Sequence, residues 1–174
     1  MADETPTGAA PQTGANATAP ALNIIGQYIK DMSFENPKAP QSLLGGTGQP
    51  RFNITINVGV NKQSDDVYAI ELTINAKAER DSGVMFSIEL IYGGLFRLKN
   101  WPEAQLGLVL MIECPRILFP FARQVLASVT QAGGFPPLLM DPVDFSAIYR
   151  QNLATMQAQQ KAQPEIILDT KKPN

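Results

Sequence analysis

The stretches RFNITINVGV (Arg51–Val60) and VYAIELTINAKAE (Val67–Glu79) decide the fold. In the first, Phe52, Ile54, Ile56, Val58 and Val60 share one face, and Asn53, Thr55, Asn57 and Gly59 share the other. In the second, Tyr68, Ile70, Leu72, Ile74, Ala76 and Ala78 face one way, while Glu71, Thr73, Asn75, Lys77 and Glu79 face the other. A period of two marks a strand buried on one side. NKQSDD (Asn61–Asp66) supplies the turn between the two strands.

Outward from this pair, ERDSG ends at Gly83 in a second hairpin turn, and VMFSIELIY follows with Val84, Phe86, Ile88, Leu90 and Tyr92 on one face. Met85, Ser87, Glu89 and Ile91 line its other face. An earlier strand runs through IIGQYIKDMSFE, with Tyr28, Met32 and Phe34 on the apolar side and Asp31, Ser33 and Glu35 opposite. Lys30 falls on the apolar side of that strand, so it either snorkels or marks a bulge that resets the register. Short turns join the last three strands, which makes the sheet antiparallel. The link NPKAPQSLLGGTGQP, between the first and second strands, has the length and the Pro/Gly content of a surface crossover loop.

The second half of the chain is helical. WPEAQLGLVLMIEC reads as a short helix with Pro102 in its first turn, and PRILFPFARQVLASVTQAGG as a longer one stopped by Gly133-Gly134. FPPLLM is extended, and Asp141-Pro142 starts a last helix whose stripe is Phe145, Ile148, Tyr149, Asn152, Leu153 and Met156. Strands followed by helices predict an α+β fold, a four-stranded antiparallel sheet with helices packed on one face. The helix from Ile117 to Val129 is apolar on nearly every side, with a polar strip of Arg116, Arg123, Gln124 and Gln131 beside Ser128. One sheet covers one side of such a helix. Each large apolar side chain left in water forfeits roughly 1.5–3 kcal/mol, so a subunit interface on Ile117, Phe121, Val125 and Val129 is expected, with cover from the short helix and FPPLLM of the same chain as the alternative or as a further contribution.

The 174 residues suffice for one domain, expected over residues 21–156 between polar tails at 1–20 and 157–174. An IIL patch, Ile166–Leu168, interrupts the second tail. The net charge of −2 and the lack of Lys/Arg runs argue against nucleic acid. There is no histidine, so the commonest general base and metal ligand are missing. The single cysteine, Cys114, sits in an apolar run and reads as a small buried side chain. The N-terminus lacks the basic and apolar regions of a signal peptide, and no window reaches the roughly 18 apolar residues of a membrane span; a cytoplasmic location is expected. Ser-His-Asp, Cys-His, G-x-S-x-G, CxxC and phosphate-loop patterns are all missing. No cofactor or metal is expected. Asp31, Glu35 and Glu89 stand out instead, since they would share the uncovered side of the sheet as an ordinary solvated face or as a dock for a basic partner.

Several motifs carry a resemblance. KDMSFENP (Lys30–Pro37) resembles the K-D-x-S-F-E-x-P pattern of the bacterial protein-export chaperone family SecB. DDVYAIEL, YGGLF, CPRILFPFAR, GGFPPL and PVDFSAIY continue the likeness in order, from about residue 24 to about residue 156. The resemblance implies a homotetramer built as a dimer of dimers, with sheets joined edge to edge and long helices sandwiched between dimers. It implies an ATP-independent holdase, not an enzyme, that keeps secretory precursors unfolded and passes them to the ATPase SecA. The family's SecA-contact carboxylates match Asp31, Glu35 and Glu89. Its client grooves suggest Leu43 and Leu44 on the crossover, Tyr92 and Phe96 on the sheet, and Ile148, Tyr149 and Leu153 on the last helix, with packing in the core as the alternative at each. The rival from another class is a small oligomeric enzyme of hot-dog-like build, such as an acyl thioesterase. Against it, the helices follow the whole sheet and no catalytic constellation is present.

Overall fold

The computed structural model describes residues 19–44 and 48–161. Nearly all of both expected tails, the Ile166–Leu168 patch and residues 45–47 of the crossover lie outside that range. Four antiparallel strands, β1 (Ala21–Glu35), β2 (Arg51–Lys62), β3 (Val67–Arg80) and β4 (Gly83–Lys99), form one sheet in the order β1-β4-β3-β2. The 36–50 link therefore crosses from one edge of the sheet to the other, which accounts for its length.

Even-numbered residues of β3 and β4 form the core. Ile70, Leu72, Ile74, Ile88, Leu90 and Phe96 are buried beneath the helices, while Glu71, Thr73, Asn75 and Glu89 lie on the opposite face. The alternation read from sequence holds for β2, β3 and most of β4; at the start of β4 the pairing with β3 shifts beside Ala78 and Glu79, and Met85, expected on the far face, is buried in the core next to Phe86. β1 departs from it. Its pairing with β4 shifts between Ile24 and Gly26 and again between Ile29 and Asp31. The second shift is the bulge that Lys30 signalled. It carries Tyr28 away from the face of Met32 and Phe34: Tyr28 pairs with Gly93 on the far side of the sheet, whereas Met32 pairs with Leu90 and Phe34 with Ile88 on the core side.

The two glycines of YGGLF each permit a close approach on opposite faces. A Cβ on Gly93 would come within 2.5 Å of the Tyr28 ring, and one on Gly94 would come within 2.6 Å of Leu118 Cδ2. Glycine at Gly94 thus lets the main helix settle onto the sheet. β4 continues past these glycines to Lys99, so the alternation turns Phe96 inward opposite Tyr68.

The two helices expected after the sheet are one helical run. α1 (Glu103–Leu108) passes through a π-helical turn (Val109–Glu113) into α2 (Cys114–Ala132). Pro115 stands directly after the wide turn, where its missing N–H would break a regular i→i−4 ladder. Gly133 and Gly134 end α2 in a Schellman arrangement. Gly134 has φ +86°, the Phe135 amide donates to the Thr130 carbonyl at 3.1 Å, and the Gly134 amide donates to the Gln131 carbonyl at 3.1 Å. The buried Thr130 hydroxyl accepts from the Leu138 amide at 2.9 Å, which folds FPPLLM back beside the helix end. α3 (Phe145–Lys161) is capped by Asp144 rather than Asp141: its Oδ1 accepts from the Ser146 and Ala147 amides at 2.9 and 3.1 Å.

By length and composition the run Glu103–Ala132 is apolar enough to cross a membrane, with mean hydropathy 1.4 over its most apolar window. That exceeds what the sequence suggested. Leu118, Ala122 and Leu126 of the run are fully buried on the sheet. A second stripe, Ile117, Phe121, Val125 and Val129, is only partly covered, with Phe121 50% exposed.

Candidate functional site

Strand register sets the rows of residues on the far face of the sheet, and four successive rows hold its carboxylates of interest. Tyr28-Gly93-Glu71-Gly59 is the first, Asp31-Ile91-Thr73-Asn57 the second, Ser33-Glu89-Asn75-Thr55 the third and Glu35-Ser87-Lys77-Asn53 the fourth. Asp31 and Glu35 lie roughly 13 Å apart along β1 at the usual rise per residue. Glu89 sits one strand over, opposite the Ser33 between them. The register thus brings the three carboxylates anticipated from sequence onto one face.

Their electrostatic setting differs from that of the other acids beside them. The Lys30 ammonium donates to both Glu71 oxygens, at 2.9 and 3.0 Å. Lys77 is paired with Glu79. Asp31, Glu35 and Glu89 take part in no ion pair among the described residues. Glu35 accepts a long hydrogen bond from the Ser87 hydroxyl, at 3.4 Å. The bond to Glu71 and its charge hold the Lys30 pKa above the usual ammonium range, and the bond from Lys77 lowers that of Glu79. Two acids of this face are neutralised internally, and three are left to act on whatever approaches.

The helix side offers an apolar groove of about 600 Å³. Phe52 and Ile54 of β2 form one wall, Met85 and Phe86 of β4 the floor, and Phe135 to Met140 the other wall. Aromatic contacts link Phe34, Phe52, Phe86 and Phe135, with Phe86 and Phe135 centroids 4.9 Å apart. Phe52 and Leu139 stay open to solvent, at 51% and 67%. Arg80 also lines the groove, and its buried Nε has no hydrogen-bond partner among the described residues.

Leu43 and Leu44 on the crossover are exposed, and Leu43 lies over Gly134 at the groove's head. Of the two readings open for Tyr92 and Phe96, the structure has them in the core and not on the groove walls: both point inward from β4, Phe96 is fully buried, and the Tyr92 hydroxyl donates to Gln27 Oε1 at 3.1 Å. Ile148 is half-buried against the core, and Tyr149 is half-buried with its hydroxyl beside Gly107. Leu153 is more open, and none of the three lines this groove. Phe52, Phe86, Phe135 and Leu139 were not singled out from sequence. The one signal was FPPLLM, two prolines between large apolar residues, a segment unable to continue a helix yet too apolar for an ordinary loop.

Cys114 is buried, and desolvation pushes its thiol pKa up to about 12. It is therefore protonated, and a poor nucleophile, at any physiological pH.

Comparison with known proteins agrees with this arrangement. The sequence profile of the SecB family, described as preprotein translocase subunit SecB, matches residues 15–156. A protein-export protein SecB from Bradyrhizobium is 55% identical over 153 residues, covering 86% of this chain and 94% of the relative. One from Mesorhizobium japonicum is 47% identical over 159 residues, covering 91% of this chain and 95% of the relative. Among solved structures, a Mycobacterium tuberculosis SecB-like chaperone in complex with a ChAD peptide from an antitoxin has a TM-score of 0.57 at 13% identity, covering 70% of this chain and 90% of that one. It supports the fold. The strand order, the helices on one face, the profile match and the relatives together show that the chain belongs to the SecB family of protein-export chaperones.

Proposed function

We propose that this chain works in the cytoplasm as a nucleotide-independent holdase for secretory precursors and hands them to the translocation ATPase SecA. The observation that carries the proposal is the opposition of two surfaces on one sheet: an open aromatic groove on the helix side and three uncompensated carboxylates on the other. Extended, unfolded segments suit the groove because its walls are apolar and sequence-tolerant, and Leu43 and Leu44 extend them. The unpaired Arg80 Nε fits a client carbonyl. A basic surface of SecA suits the opposite face, and the geometry lets both be held at once.

Two further features support a dimer of dimers. The edge strand β1 exposes Ile24, Ile25, Ile29 and Met32, a run suited to joining two sheets edge to edge. The half-covered stripe on α2 suits burial between dimers. Family membership supports the chaperone reading over the acyl-thioesterase one.

The test is dilution of a urea-unfolded precursor into buffer without nucleotide. Equimolar tetramer slows aggregation. Phe52→Asp with Leu139→Asp abolishes that effect while sparing SecA binding, and Asp31→Arg with Glu35→Arg does the reverse. Loss of both activities in either pair, or of neither, refutes the assignment of the two surfaces.

A further inference from the structure

The uncompensated charge of the far face has a structural precondition. Lys30 immediately precedes Asp31 in sequence and is the nearest cation to it along the chain. On a regular strand the two would point to opposite faces. The bulge between Ile29 and Asp31 removes that separation, so both reach the far face. A lysine beside Asp31 would ordinarily cancel part of the acidic field.

It does not, because Lys30 reaches over β4 to β3. Its ammonium is held by both oxygens of Glu71, at 2.9 and 3.0 Å. Two strand spacings separate β1 from β3, about 9.5 Å. The residue between them, paired with both Tyr28 and Glu71, is Gly93, and the Tyr28 ring occupies the space that its missing side chain leaves, so Lys30 meets no side chain of β4 at that position. Glu71 is the less accessible partner, with its side chain 16% exposed against 52% for Lys30. It therefore acts as a fixed receptor for a movable cation.

We infer that Glu71 is a positioning residue for the acidic docking face: it sequesters Lys30 across Gly93 and so keeps Asp31 available to a basic partner. This rests on the proposal that the acidic face docks such a partner. Glu71 itself need not touch the partner. Its role is to complete a local pair, so that the approaching surface meets Asp31, Glu35 and Glu89 without a competing ammonium.

The test measures binding of purified SecA to the full-length chaperone across a salt series. Glu71→Gln leaves Lys30 unpaired beside Asp31, and binding is expected to weaken roughly three- to tenfold at low salt, with a shallower salt dependence. Lys30→Gln with Glu71→Gln restores binding to within about twofold of the original, because the cation and its receptor leave together. A double variant as weak as the single one means that Glu71 contacts the partner itself, and overturns the inference. An unchanged single variant overturns it too. Should Glu71→Gln lower the melting temperature enough to confuse the reading, the exchange Lys30→Glu with Glu71→Lys keeps the pair and moves the cation away from Asp31. It must bind at least as well as the original. If Asp31→Asn with Glu35→Gln leaves binding intact, the docking face itself is wrong. If that pair weakens binding and Glu71→Gln does not, the sequestration alone fails.

Discussion

Replacing Val125 by aspartate separates the subunit fold from its assembly. In the subunit Val125 is half-buried beside the core, so a carboxylate there still reaches water and the fold tolerates it. Between two α2 helices of the proposed tetramer it would have no such route. An unpaired ion buried at an interface costs roughly 3 kcal/mol or more. Joining two dimers buries four copies at once, which comes to about 12 kcal/mol, or on the order of 10⁸ in the dissociation constant. Light scattering after size exclusion reads the result directly. Subunits of 18.9 kDa give a tetramer near 76 kDa and a dimer near 38 kDa. The variant is expected at the dimer mass, with unchanged circular dichroism. Lowering the pH supplies an internal check. The penalty cannot exceed the cost of protonating the new carboxyl, which falls from about 5 kcal/mol at pH 7.5 to about 1.5 kcal/mol at pH 5. The tetramer should therefore return on acidification. A mass near four subunits at pH 7.5, with the substitution verified and the fold intact, would refute the helix-interface reasoning.

Two more expectations concern the subunit itself. Gly94→Ala drives a methyl group toward Leu118 and Phe96, both fully buried, and should cost about 1–3 kcal/mol in denaturant titration. Gly26→Ala, with nothing within 4 Å of the new atom, should leave the midpoint nearly unchanged, and equal effects would contradict the packing. The Cys114 thiol, held up to about 12 by burial, should resist iodoacetamide at pH 8 until the protein unfolds. Because its folded pKa lies above the unfolded value, its contribution to stability is complete below about pH 8.5 and is lost as the pH rises toward 12. Rapid labelling of the native protein would show that the thiol is not buried.

Much of this was legible along the chain because it is local. Alternation over β2, β3 and β4 set their two faces, since a side chain's direction on a strand depends on its position alone. The same rule put Glu89 opposite Phe86 and Ile88, and the position of Lys30 exposed the irregularity in β1. The apolar girth of Ile117 to Val129 flagged a helix that a single sheet could not cover.

What lay beyond reach is non-local. The direction in which the β1 bulge turned Tyr28 depended on its fit over Gly93, a residue of another strand. The Lys30–Glu71 pair joins residues 41 apart in sequence, and neither neighbourhood names the other. The groove draws walls from the start of β2, the end of the β3–β4 hairpin and the segment after α2. Whether Phe96 and Tyr92 belong to the core or to the groove stayed open along the chain, because aromatic composition is the same in a core and in a binding surface. The sequence by itself determined which residues alternate, which helix lacks a polar face and which family pattern the motifs follow, because each is carried by short-range spacing. Only the tertiary structure decided which aromatics stay open and which carboxylates stay unpaired, because exposure and ion pairing depend on neighbours brought together by strand order and helix packing.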